Sequence, residues 1–422
     1  MYSNLSHQEL AELKTRLENE YNALKAKGLS LDMSRGKPSG DQLNLSNQLL
    51  NVDLGDYKCE AGFDCRNYGL LDGIEEAKRL FMPLLGTNEP DNIIIGGNSS
   101  LQLMYDVIAK FMLFGVSEQA EPWQRGIKFL CPAPGYDRHF AILQAFGIDM
   151  ITIKLNKDGP DMDTAEALAA ADPAIKGIYC VPMYSNPDGF TYSEETVKRL
   201  AAMKAAAPDF RIMWDNAYGV HHLTDTPLCA LSVNDECAKA GNPDRAYVFA
   251  STSKITFAGG GISAMASSAA NTAFMKKLLS VQTIGFDKIN QLRHAKFFKD
   301  FAGILAHMDK HKEILRPKFD VVCKMLEAEL TPYKLGEWHK PEGGYFISFN
   351  GLNGTAKRII ELCKQAGVIL TAAGAAFPYG NDPDDKNIRI APTFPPVSEL
   401  TSAMEVFCAS VKLASIEKML AN

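Results

Sequence analysis

Short β-rich runs alternate with helical patterns from residue 72 to 285, and this alternation constrains the fold more than any other feature. The runs fall at 92–95, 127–131, 150–153, 177–181, 211–214, 246–250 and 261–265. Alternation of that kind predicts an α/β fold with a large, doubly wound, mostly parallel sheet. Around it the pattern changes. Leu10, Leu13, Leu17, Tyr21 and Leu24 recur at helical spacing, with Gly28 as a C-terminal cap. A loop-rich stretch covers 34–67, and 287–330 reads as long helix. The tail reads as strands at 344–349, 368–371 and 387–391, then a helix from Val397. The expected organisation is a large domain at 51–300 and a smaller α+β domain built from 1–50 and 301–422.

At 422 residues the chain holds two domains or three. It is 46% hydrophobic and 22% charged, which excludes a disordered chain, a collagen or a simple coiled coil. Lys plus Arg is 44 against 50 for Asp plus Glu, a formal charge of −6. A nucleic-acid binder would be basic, so no nucleic-acid partner is expected. No apolar run reaches the ~18 residues a membrane span needs, and no signal peptide is read at residues 1–17. The nine cysteines form no CxxC pair, so neither a disulfide framework nor a metal site is expected. Cys131, Cys180, Cys323, Cys363 and Cys408 sit in apolar runs and read as core residues of a cytoplasmic protein.

The strongest chemical signal is Ser251-Thr252-Ser253-Lys254, directly after the run 246–250. Burying an ammonium is costly, so a surface turn is one reading of Lys254. The other is chemical: desolvation lowers a lysine pKa, and a neutral amine condenses with an aldehyde. Two more strand ends add weight. Run 211–214 leads into Asp215-Asn216-Ala217-Tyr218, and run 177–181 leads to Asn186-Pro187-Asp188-Gly189. Singly these read as a helix cap and a turn. Together they place a carboxylate, an amide, a phenol and a lysine at the carboxyl edge of one sheet, where α/β folds bind ligands. The groups suit pyridoxal phosphate, which needs a lysine for its aldehyde and a carboxylate beside its pyridine nitrogen. Its phosphate needs N–H groups at a helix start. Gly96-Gly97-Asn98-Ser99-Ser100 supplies a Gly-rich turn into a helix, and lacks both nucleotide-loop signatures.

The ordered set resembles the class I aminotransferases of pyridoxal-phosphate fold type I. It comprises Tyr68-Gly69, Gly97-Asn98-Ser99, Pro134-Gly135-Tyr136, Asn186-Pro-x-Gly189, Asp215-x-Ala-Tyr218, Ser251-x-Ser-Lys254 and Arg389. Within these the chain is most similar to the subclass Ic aspartate aminotransferases, whose catalytic domain is related to that of MocR-type regulators. The resemblance runs from Ser34-Arg35-Gly36-Lys37-Pro38 to Ile388-Arg389-Ile390-Ala391-Pro392. It implies Lys254 as Schiff-base lysine and proton shuttle, and Asp215 as partner of the pyridinium nitrogen. Asn186 and Tyr218 would hydrogen-bond the phenolic oxygen, and Tyr136 would stack on the ring. Gly97, Asn98, Ser99 and Ser251 would hold the phosphate, joined by Tyr68 from a second subunit of a homodimer. Arg389, with Gly36 and Asn186, would bind the substrate carboxylate. His139 reads equally as support for Asp215 or as an ordinary helix histidine.

Two departures stand out. Relatives carry a phosphate-binding arginine eight residues after the lysine, where this chain has Gly259-Gly260-Gly261-Ile262. Consecutive glycines there suggest a close backbone approach offering N–H donors. No arginine for a distal carboxylate is evident, with Arg35, Lys37 and Arg293 as candidates. The implied reaction moves an amino group between an amino acid, L-aspartate first, and a 2-oxo acid, 2-oxoglutarate first. Alanine, 2-aminoadipate or kynurenine as donor and a pyridoxal-phosphate lyase are the rivals. A ligand-sensing regulator is a further rival, though too few residues precede Ser34 for its DNA-binding domain.

Overall fold

The computed structural model describes residues 2–421. In chain order its strands are β1 (Leu31–Asp32), β2 (Ile93–Ile95), β3 (Lys128–Ala133), β4 (Asp149–Asn156), β5 (Gly159–Pro160), β6 (Ile175–Cys180) and β7 (Arg211–Asp215). They continue with β8 (Ala246–Ser251), β9 (Ser263–Ala266), β10 (Glu337–Trp338), β11 (Ile347–Asn350), β12 (Val368–Ile369) and β13 (Asn387–Ile390). The central sheet has eight strands in the order β2-β9-β8-β7-β6-β3-β4-β5. From β4 through β3, β6 and β7 to β8 every pairing is parallel. β9 is antiparallel to both β8 and β2, so β2 again points with the parallel set.

The expected runs are therefore strands, with two refinements. β4 is longer than 150–153 because it is half exposed, and the polar residues on its open face hide its ends. β5, unexpected, is two residues folded back on Leu155 and Asn156. Side chains alternate between the sheet's faces, as the two-residue pleat requires. Ile212, Trp214 and Val248 join one apolar cluster, while Met213, Tyr247 and Phe249 join another.

A third cluster comes from the chain ends. Helix His7–Lys25 packs with helix Val397–Leu420, and Gly28 redirects the chain at φ 64°. β10, β11 and β13 form an antiparallel sheet, and β1 pairs with β12 in parallel. The stretch 287–330 is two helices, Lys288–Phe298 and Phe301–Leu330. Lys299 breaks them at φ 69°, and the Asp300 carboxylate accepts the Gly303 N–H as an N-cap. The second helix places Ile304 and Met308 against the central sheet and Leu315 to Leu330 in the chain-end cluster. Among the described residues no helix is long and apolar enough to cross a membrane.

Candidate active site

Four strand ends converge on one cavity. β2 stops at Ile95, β6 at Cys180, β7 at Asp215 and β8 at Ser251, all at the same edge. The cavity encloses about 420 Å³ and is lined by Ser99, Tyr136, Asn186, Asp215, Tyr218, Ser251 and Lys254. A wider groove of about 1380 Å³ lies behind Asn216, beside Leu84 and Lys312, and contains none of those seven.

Lys254 follows β8 by one turn. Its Nζ lies 5.0 Å from the Tyr218 ring centroid and 5.9 Å from that of Tyr345. Burial pushes its pKa down, and the Asp215 carboxylate partly offsets this. The lysine thus gives up its proton more readily than a surface lysine. Asp215 is buried at the end of β7. Its Oδ2 meets His139 Nε2 at 3.0 Å, while its Oδ1 has no partner. His139 is itself clamped, stacked on the Tyr179 ring at 4.3 Å. An unpaired buried carboxylate oxygen is costly, and a cationic N–H donor is the group that would satisfy it.

Tyr136 is half-buried at the start of helix Asp137–Ala145. Burial first, and then Asp215, push its pKa up to about 12. Tyr218 is buried, and its pKa is also raised by desolvation. Ser99 caps the helix Ser100–Phe114, its Oγ accepting the Leu101 N–H. That helix start leaves backbone N–H groups without helical partners at the cavity wall. The Ser251 hydroxyl donates to Ser253 Oγ, which donates to the Asn98 carbonyl. Gly97 and Asn98 form the turn outside the lining, with Asn98 Nδ2 on the Ala258 carbonyl.

Arg389 lies in β13, and its side chain reaches the cavity rim. Nη1 donates to Asp137 Oδ1 at 3.0 Å and Asn186 Oδ1 at 3.4 Å, while Nε has no partner. Its guanidinium lies 5.0 Å over the Phe346 ring. Gly36 packs on that ring so closely that a Cβ would sit 2.5 Å from it. Tyr68 stands apart, 78% exposed.

No arginine is among the residues lining the cavity. The glycines after Lys254 do not line it either. Gly261 packs beneath the Thr252–Ser253 turn, and the Gly260 and Gly261 carbonyls accept from Asn290 Nδ2. These contacts show the glycines shaping the turn that follows the lysine. Arg35 is exposed, Lys37 lies 3.9 Å over the Phe394 ring, and Arg293 is half-buried one turn past Asn290. The sequence reading passed over Asp137, Ser253 and Tyr345. Ser253 stands inside the lysine motif but was given no role, and Asp137 adjoins Tyr136; Tyr345 has no local signal beyond the Gly343-Gly344 turn before it.

A lysine, a buried carboxylate with a free oxygen, and a capped helix start around one sheet-edge cavity define a fold-type I aminotransferase. The family model described as aspartate amino-transferase matches residues 5–422, and the chain belongs to that family. An aspartate aminotransferase of Corynebacterium glutamicum is 45% identical over 95% of this chain and 93% of its own. The crystal structure of an aspartate transaminase from the same species superposes with a TM-score of 0.96. It is 43% identical and covers 99% of both chains. An α-aminoadipate aminotransferase from Thermus thermophilus shares the fold with a TM-score of 0.73 at 17% identity. The protein is an aminotransferase.

Proposed function

We propose that this enzyme transfers the amino group of L-aspartate to 2-oxoglutarate, as a pyridoxal-phosphate-dependent homodimer of the cytoplasm. The observation that carries the cofactor is the pairing, in one cavity, of the Lys254 amine with the unpartnered Oδ1 of Asp215. When bound, pyridoxal phosphate supplies an aldehyde and an electron sink for charge developing at the amino acid Cα. Asp215, held on its far side by His139, places a fixed negative charge against the ring nitrogen. Tyr218 and Asn186 present donors to the ring oxygen, and Tyr136 covers one face. Ser99, Ser251 and the N–H groups opening helix Ser100–Phe114 face the phosphate, and Tyr68 of the second subunit completes its shell. Lys254, its basicity lowered by burial, takes the Cα proton and returns it.

Arg389 forks onto the α-carboxylate. The preference for aspartate is supported by the likeness in sequence and structure to aspartate aminotransferase of Corynebacterium glutamicum. The division into 51–300 and 1–50 with 301–422 belongs to the same proposal, supported by the separate chain-end core.

The test is the visible absorption spectrum of the purified protein before and after amino acids are added. Aspartate is expected to bleach the visible band fastest, with oxaloacetate released. No band at all would overturn the cofactor assignment. Equal bleaching by aspartate, alanine and 2-aminoadipate would overturn the substrate.

A further inference from the structure

Next to Lys254 lies a string of buried polar side chains. Gln42 and Ser46 are fully buried, and Tyr345, His311 and His307 nearly so. Burying polar groups costs stability unless every one is paired, and an apolar filling would serve packing alone equally well. The string ends on two backbone carbonyls, those of Lys254 and Ile255.

The proton order can be read from one fixed point. The Ser39 N–H donates to Gln42 Oε1 at 3.1 Å, which identifies the opposite end of that amide as its NH₂. Gln42 Nε2 therefore donates, to the Tyr345 hydroxyl at 3.0 Å and to His311 Nδ1 at 3.1 Å. Having accepted from Gln42, the Tyr345 hydroxyl points its own proton at the Lys254 carbonyl, 3.3 Å away. His311, unprotonated at Nδ1, has its Nε2 3.2 Å from His307 Nε2, which in turn lies 3.0 Å from the Ile255 carbonyl. Burial lowers the pKa of both histidines, which favours their neutral forms. The Tyr345 ring also backs the lysine amine together with the Tyr218 ring.

We propose that Tyr345, oriented by Gln42, is a positioning residue for Lys254: its hydroxyl pins the lysine's carbonyl and its ring backs the lysine's amine. The inference rests on Lys254 being the cofactor-bonding lysine. It ties the lysine turn to both chain ends, because Gln42 precedes the central sheet and Tyr345 follows it.

The experiment uses the holoenzyme stripped of cofactor and reloaded with pyridoxal phosphate. Covalent attachment to Lys254 is followed by visible absorbance, and steady-state constants are then measured. Tyr345→Phe keeps the ring and deletes the hydroxyl. Attachment and kcat should each slow by about tenfold, with KM for the amino acid within about twofold, as expected when a reacting group is slightly misplaced. Gln42→Leu should give the same split by freeing the phenol. If it does not fold, Tyr345→Phe decides alone. Attachment and kcat both within about twofold of wild type would overturn the proposal. So would a loss spread over kcat, KM and thermal midpoint alike, the mark of a packing defect. A wild-type protein that never develops the visible band would overturn the cofactor reading itself, a failure distinct from unchanged variants.

Discussion

At the scale of single residues, two atoms without partners, Asp215 Oδ1 and Arg389 Nε, belong to groups of opposite charge. Asp215→Asn keeps size and the His139 contact but deletes the charge. Turnover should fall by about a hundredfold or more, equivalent to ~2.7 kcal/mol, while cofactor retention changes far less. Parallel modest losses in both would reduce Asp215 to a structural cap. Arg389 already donates through Nη1 to the Asp137 carboxylate; a lysine there would keep a charge yet lose the planar geometry that matches a carboxylate in two bonds. Arg389→Lys should cost about 1.5–3 kcal/mol in kcat/KM for every amino acid tried. Efficiency within twofold of wild type would assign the carboxylate to another group. Much of this was legible in the sequence, because motif residues follow strands whose ends the fold must gather at one edge. Tyr345 was not. Its partners Lys254 and Gln42 lie 91 and 303 residues away, and no local pattern encodes a meeting of three chain segments.

At the scale of elements, the turn from Thr252 to Gly261 shows how β8 and β9 hold the lysine. His294, from helix Lys288–Phe298, closes this turn. Its Nδ1 donates to the Asn290 carbonyl, and its Nε2 accepts from the Thr252 hydroxyl at 3.2 Å. Burial drives its pKa down from 6.5 to about 4. The folded state therefore refuses a proton that the unfolded chain accepts between those values. Stability is unaffected above pH 6.5, falls as pH drops through the window, and is fully reduced below about 4, by roughly 3 kcal/mol at most. Urea midpoints at pH 7, 5.5 and 4.5 should drop more steeply for wild type than for His294→Gln. Superimposable slopes would remove His294 from the acid sensitivity. The sequence foretold this lysine turn but not what its glycines pack against. It showed an arginine missing from Gly259 to Ile262 and suggested backbone donors in its place. Which carbonyls and N–H groups a glycine turn spends on its neighbours depends on Asn290, from a helix beyond the next strand. The break between helices at Lys299 was missed for another reason. A lysine at positive φ carries no glycine or proline mark, and Asp300 reads as one more helical charge until its cap is seen.

At the scale of the whole molecule, several large apolar side chains among the described residues stand exposed near one another. Leu113 and Phe114 end helix Ser100–Phe114 at 66% and 51% exposed; Val281 and Ile284, near the end of helix Ala269–Gln282, are 90% and 59% exposed. Lys110 Nζ bonds Gln282 Oε1, so the two helix ends are neighbours. The backbone at Gly285 in turn packs against the Gly69 carbonyl, which brings exposed Tyr68 to the same region. Contiguous exposed apolar side chains of this kind mark an interaction surface. Tyr68 is exposed and does not line its own chain's cavity, which fits the proposed role in a second copy's site. Light scattering should therefore give twice the 46.3 kDa of one chain. Val281→Asp puts a charge in the middle of the patch without touching any cavity residue. It should shift the protein towards monomer, and cofactor retention should fall with it, since each phosphate would lose the partner's Tyr68. Tyr68→Phe should stay dimeric and lose retention alone, which separates assembly from phosphate contact. A Val281→Asp monomer with full activity and full cofactor content would show that each site is complete within one chain.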